Sequence, residues 1–190
     1  MTDPGHGPVE IVRLDGDGAA AVVPALAELL VDAVDHGAGV GFVWPFTTED
    51  AAAWWQGVVR DVAAGTVVVL VAHRQDHVVG TVQMRLAQYP NGRHRAEVAK
   101  LLVHSSARRQ GIARRLMEAL EAEALRLERT LLVLDTATEE AERLYQSLGY
   151  ATVGIVPRYA AIPDGTILGT TIMWRWLADD ADAGTTMTEP

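Results

Sequence analysis

The run from Arg95 to Leu127 constrains the fold more than any other part of the chain. It begins as "RAEVAKLLVH", whose later half is almost wholly apolar, and passes through "SSARRQG". It continues as a segment in which Ile112, Leu116, Ala119, Leu120, Ala124 and Leu127 recur at helical spacing. A strand this apolar belongs in the middle of a sheet covered on both faces. A long helix with one apolar stripe needs such a face to lie on. The segment therefore predicts a layered α/β domain, in which a central strand feeds a helix through a turn at Gly111.

The flanking sequence fits the same layers. "VEIVRL", "TVVVLVAHR", "HVVGTVQMRLA", "TLLVLDT", "YATVGIVP" and "GTTIMWRW" read as further strands, with a bulge expected at Gly80. After "DGDG", taken as a break, a helix is predicted over Val22 to His36, with Pro24 in its first turn and Gly37 as its stop. Thr47 or Thr48 caps a second helix to about Ala64, and Thr138 caps a short one ended by Gly149. The expected organisation is one domain over 1–178 and an acidic tail, 179–190, expected to be disordered.

Composition narrows the function. The formal net charge is -9 and the pI near 5.0, which excludes a general nucleic-acid binder needing a broad basic face. No cysteine is present, so disulfides, thiolate metal sites and an enzyme-bound thioester are excluded. His73, His77 and His104 lack metal-ligand spacing, and no metal is expected. No apolar run approaches the roughly 20 residues that span a bilayer, and the start lacks a signal-type apolar stretch, so a cytoplasmic protein with no membrane partner is expected. The cations are fifteen arginines and a single lysine, Lys100, a bias typical of a GC-rich bacterial genome.

Against that acidic background, "RRQGIARRL" gathers four arginines around Gly111 at the start of a helix. A helix N-terminus presents free N–H groups and a positive dipole end. Gly111 permits close approach, Ala113 is small, and arginines pair with phosphate oxygens in forked fashion. A diphosphate is the expected guest; the alternative is a solvated helix start. No G-x-x-x-x-G-K-[ST] or strand-following G-x-G-x-x-G occurs, so nucleotide-hydrolase and dinucleotide-oxidoreductase readings fall away.

"LLVHSSARRQGIARRLM" resembles the pyrophosphate-binding signature of the GNAT N-acetyltransferases, R/Q-x-x-G-x-G/A, with Arg108, Gly111 and Ala113 at its defined positions. "TEEAERLYQSLGY" is similar to that family's second signature. "AEVAKLLVHSSARRQGIARRLM" with "LLVLDTAT" is further similar to the tabtoxin-resistance acetyltransferases, which modify a small β-lactam toxin. The resemblance implies a single mixed, mostly antiparallel sheet of about seven strands with helices on both faces. It implies acetyl-CoA as co-substrate, with the pantetheine arm on the backbone of Leu101, Leu102 and Val103. The pyrophosphate would then lie on Arg108, Arg109, Gln110, Gly111, Ile112, Ala113 and Arg114. Thr138 stands where many relatives carry asparagine, which puts its cofactor contact in question.

Acetyl transfer needs a base for the acceptor, polarisation of the thioester and an acid for the departing thiolate. Tyr145 matches the tyrosine that the family places near the cofactor sulfur and is the expected general acid, or else a packing ring. Glu97, on the cofactor-binding strand, is the expected base, or else a residue paired with Arg95 or Lys100. Asp135 is a rival base or an acceptor-binding group. Trp44, Phe46, Arg158 and Tyr159 lie in segments expected to recognise the acceptor, with Arg158 suited to a carboxylate. The expected function is transfer of acetyl to an amine or hydroxyl of a small molecule by direct attack in a ternary complex. The rivals are a protein lysine or N-terminal acetyltransferase and a non-catalytic CoA sensor. The family's habits allow a homodimer.

Overall fold

The computed structural model describes residues 7–178; the acidic tail lies outside the described residues. Seven strands form one sheet: β1 (Val9–Arg13), β2 (Val67–Arg74), β3 (His77–Leu86), β4 (Arg95–Val103), β5 (Leu131–Thr136), β6 (Ala151–Ala161) and β7 (Ile167–Trp176), in the order β1-β2-β3-β4-β5-β7-β6. Neighbours are antiparallel except β4 and β5, which run parallel. This is the expected mixed, mostly antiparallel sheet.

Both faces of the sheet are covered, as the continuous apolar run of β2 requires. Val68, Leu70 and Ala72 face one core with α4 (Ile112–Arg126) and α5 (Glu139–Ser147). Val67, Val69 and Val71 face a second core beneath α1 (Gly16–Ala21), α2 (Val23–Asp35) and α3 (Thr48–Ala63). Thr47 caps α3 and exchanges hydrogen bonds with Asp50 in a capping box. The bulge near Gly80 is present between β2 and β3. A Cβ on Gly80 would lie 3.0 Å from the Leu102 carbonyl oxygen and 3.1 Å from Leu116, so the strand, its neighbour and α4 close up only around glycine.

"DGDG" ends the first strand, as expected, and also opens a short helix that the sequence reading did not include, because the Asp15 carboxylate accepts from the Gly18 N–H at 2.7 Å and caps α1. A side-chain cap outweighs the low helix propensity of two glycines over a single turn.

Asp32, on α2, ties the helix layer to the turn that follows β4. It accepts from the Ser105 backbone N–H at 2.8 Å and from Ser105 Oγ at 2.7 Å. Burial acts to raise its pKa, but the Ser105 hydrogen bonds and the nearby His104 and His36 prevail and hold it below the usual carboxylate value. A depressed folded value means that this stabilisation is present above the unfolded pKa and is lost as pH falls through the folded one. Asp32→Asn is expected to lower stability by about 1–2 kcal/mol at neutral pH, with the gap to wild type closing in acid. Urea unfolding at pH 7 and at pH 3.5 checks this; an equal gap at both pH values would remove the charge from the account.

Candidate active site

The site arises where β4 and β5 part. Their pairing runs Arg95↔Leu131, Ala96↔Leu132 and Glu97↔Val133, and ends there. Beyond Glu97 the β5-facing edge of β4 has no strand partner, which leaves backbone amides and carbonyls open to a ligand. A bulge turns β4 further: Ala99 pairs with Gln83 and Leu102 with Thr81, so Lys100 and Leu101 stand unpaired. Lys100 carries φ 53°, a left-handed conformation rare outside glycine. Simple alternation from Glu97 through Ala99 and Leu101 to Val103 is therefore broken.

The split opens a cleft of ≈ 350 Å³. Of the residues singled out in the sequence, it gathers Glu97, Leu101, Asp135, Thr138, Tyr145 and Tyr159. Glu97 is exposed and sits opposite Arg85 of β3, and among the described residues it forms no ion pair with Arg95 or Lys100. The Asp135 carboxylate accepts from Thr170 Oγ1 at 3.0 Å. Thr138 accepts from the Ala141 N–H and caps α5, so its hydroxyl serves the helix. Tyr145 is 7% exposed, packed 5.7 Å from the ring of Tyr150. Burial, with the Asp135 carboxylate adding to it, raises its phenol well above the usual value. It stays protonated at any physiological pH, the state a proton donor needs.

The glycine turn follows β4 in the chain and lies outside the lining of this cleft. Gly111 has φ 75° and begins α4 with no side-chain cap, so the first-turn amides are left for another acceptor. A Cβ there would meet no protein atom within 4 Å. Arg109 is also left-handed, at φ 60°, and alternating backbone of this kind turns successive N–H groups inward as an anion nest. The arginines do not act as one cluster. Arg108 Nε donates to the Val103 carbonyl at 3.3 Å, Arg114 donates to Ser147 Oγ at 2.7 Å, and Arg115 to the Val9 carbonyl at 2.6 Å. Gln110 accepts from Arg74, and Ile112 is buried in the core. Arg114 and Arg115 thus brace α4 against α5 and β1, and Ile112 can offer a ligand only its backbone.

Three acceptor residues expected from the sequence lie elsewhere. Phe46 stacks on Phe42 at 4.3 Å as part of the helix-side packing, and Trp44 is exposed, its N–H bonded to the Pro163 carbonyl. Arg158 sits at the crest of a β6 bulge, φ 53°, outside the cleft lining, whereas its neighbour Tyr159 lines it. Conversely, Arg85 and Lys100 line the cleft without having been singled out as site residues, and Gly39–Gly41, at the start of the segment expected to recognise the acceptor, line it too. Lys100 had a visible signal, as the one lysine among fifteen arginines.

A parallel pair that splays beside a glycine-opened helix N-terminus, with a protonated phenol in the split, defines a group transferase with an anionic donor. Residues 65–152 match the family described as the acetyltransferase (GNAT) domain. Solved structures agree over nearly the whole chain. An N-acetyltransferase from Staphylococcus aureus Mu50 is 20% identical with TM-score 0.74, covering 90% of this chain and 100% of that one. Ribosomal-protein-alanine N-acetyltransferase from Brucella melitensis is 26% identical with TM-score 0.72, over 88% and 99%. The acetyltransferase candidate yncA from Salmonella typhimurium, solved with its cofactor acetyl-CoA, is 24% identical with TM-score 0.71, over 94% and 99%. The chain has the fold of these acetyltransferases, and the match to the GNAT domain covers residues 65–152. Among the described residues no helix is long and apolar enough to cross a membrane.

Proposed function

We propose that this chain transfers acetyl from acetyl-CoA to the amine of a small acceptor by direct attack in a ternary complex. The observation that carries the reading is the single cleft that joins Tyr145, Glu97 and Asp135 to the open edge of β4. The residues fit the co-substrate: uncapped amides from Gly111 onward suit a diphosphate, and the unpaired edge at Leu101–Val103 suits an amide-bearing arm. The acceptor nitrogen attacks the thioester carbonyl carbon as the C–S bond breaks. Glu97, directly or through water, takes the amine proton, and Tyr145 gives its phenolic proton to the leaving sulfur. Asp135, held by Thr170, orients the amine, which attacks in its neutral form after giving its extra proton to solvent. The absence of cysteine supports direct transfer over an enzyme-bound acetyl.

The test is release of free CoA from acetyl-CoA across a panel of small primary amines, with acetylated product identified by mass. Expected is turnover with at least one small amine. Turnover only with peptide N-termini or protein lysines would replace the small acceptor by a protein one, and no acetyl-CoA binding at all would end the reading.

A homodimer is part of the same proposal. β6 is an edge strand with Val153 67% and Ile155 71% exposed. An open apolar edge pairs readily with its own copy about a two-fold axis. Light scattering after gel filtration is expected to give a dimer mass, and Ile155→Lys a monomer; a wild-type monomer at micromolar concentration overturns it.

A further inference from the structure

Lys100 has no evident task in the chemistry above, yet it is built into the cleft at some expense. Its backbone is left-handed, a conformation that a non-glycine residue keeps only when its surroundings hold it there. Its Nζ lies 5.8 Å from the centroid of Phe42 and 5.3 Å from that of Trp54, and those two rings meet edge to face at 5.5 Å. It also lies under Gly41, where an added Cβ would stand 3.8 Å from Nζ. The aromatic corner places the ammonium but accepts few of its three N–H donors.

Among the described residues no carboxylate forms an ion pair with Lys100 or with Arg85, which faces the same cleft from β3. Burial, with the like charge of Arg85 adding to it, lowers the Lys100 pKa, while Asp135 and Glu97 oppose the shift. Arg85 is exposed and faces Glu97 across the strands, and Lys100 feels Asp135 and Glu97 at longer range. Neither cation is held in an ion pair, so both are open to a ligand anion. Lysine brings a compact charge with three donors to the corner, of which the rings engage only the cation.

We propose that Lys100 and Arg85 form the acceptor's carboxylate subsite, so that the acetylated substrate is a zwitterion of the α-amino-acid type. The inference rests on the transferase reading and deepens it. Two cations and the two carboxylates Glu97 and Asp135 line one cleft, which matches one carboxylate and one ammonium on the ligand. The same balance disfavours a polycationic acceptor. Arg158, suited to this task by sequence, lies outside the lining, and the bulge in β4 supplies the charge instead.

Because Lys100 is the only lysine, protein labelled with ¹³C-lysine gives one side-chain signal that reports on this site alone. Acetyl-CoA binding is measured first on the same sample by calorimetry, so that failure of the donor site is seen separately. L-alanine, L-leucine and propionate are then titrated against L-alaninamide, L-leucinamide and propionamide at constant ionic strength. Expected is a saturable shift of the Lys100 signal with the carboxylates, none with the amides, and at least tenfold weaker saturation in Arg85→Met. In turnover, Lys100→Met is expected to raise KM for the amino acid at least tenfold with acetyl-CoA affinity kept. Absence of a carboxylate response in a sample that binds acetyl-CoA, or an equal response to acid and amide, overturns the subsite.

Discussion

Replacing Gly111 with valine is expected to weaken acetyl-CoA binding at least a hundredfold while leaving the fold intact. Gly111 adopts φ 75° at the start of α4, where an L-residue costs about 1–2 kcal/mol and a β-branched one more. No protein atom lies within 4 Å of the position its Cβ would take, so the domain can accommodate the side chain. The space it fills is the space above the free amides of the first turn, where the diphosphate belongs. A hundredfold loss is about 2.7 kcal/mol, more than backbone strain alone would remove. Gly111→Asn separates the two effects, because asparagine tolerates the left-handed region. Calorimetric titration with all three proteins, alongside their thermal melts, decides the matter. Valine and wild type binding alike would place the diphosphate elsewhere.

Tyr145→Phe is expected to lower kcat about a hundredfold, the lower range for loss of a general acid, with acetyl-CoA affinity and melting temperature nearly unchanged. The ring remains packed against Tyr150 and in the core it shares with Leu148; only the phenolic proton is lost. Since burial and Asp135 raise the phenol, the wild-type rate should show no alkaline decline from this group up to at least its ordinary pKa of about 10. Unchanged turnover in the variant would reduce Tyr145 to a packing residue. A large drop in melting temperature would point the same way.

The placement of these two residues was legible in the sequence because it depends on local pattern, whereas the roles proposed for them rest on the family resemblance. A glycine between an apolar strand and an amphipathic helix states its own backbone requirement, and a tyrosine one turn before a helix-ending glycine is held to the core face by helical spacing. The order of strands and helices was legible for the same reason, since periods of 2 and 3.6 residues are properties of neighbouring positions. What the sequence did not show is where a local signal met a longer-range partner. The side chains of Arg114 and Arg115 donate to Ser147 and to the Val9 carbonyl, which leaves Arg114 only its backbone amide for the expected phosphate contact. Trp44 and Phe46 looked like a substrate wall, but Phe46 packs on Phe42 and Trp44 stands exposed beside Pro163.

By itself the sequence determined a layered α/β chain, a glycine turn between an apolar strand and a long helix, the absence of cysteine, and a tyrosine on the core face of a short helix. Tertiary structure alone decided where the cleft opens and what faces it. Pairing of β4 with β5 stops at Glu97, and the register of β4 shifts at Lys100. A register shift exchanges the faces that side chains point to, so no alternation pattern could assign Lys100 to the cleft or Arg158 away from it. Arg85, Lys100 and Asp135 meet because hydrogen-bond register places β3, β4 and β5 side by side, and Phe42 and Trp54 reach Lys100 through the packing of the helix layer on the sheet; sequence distance has no bearing on either.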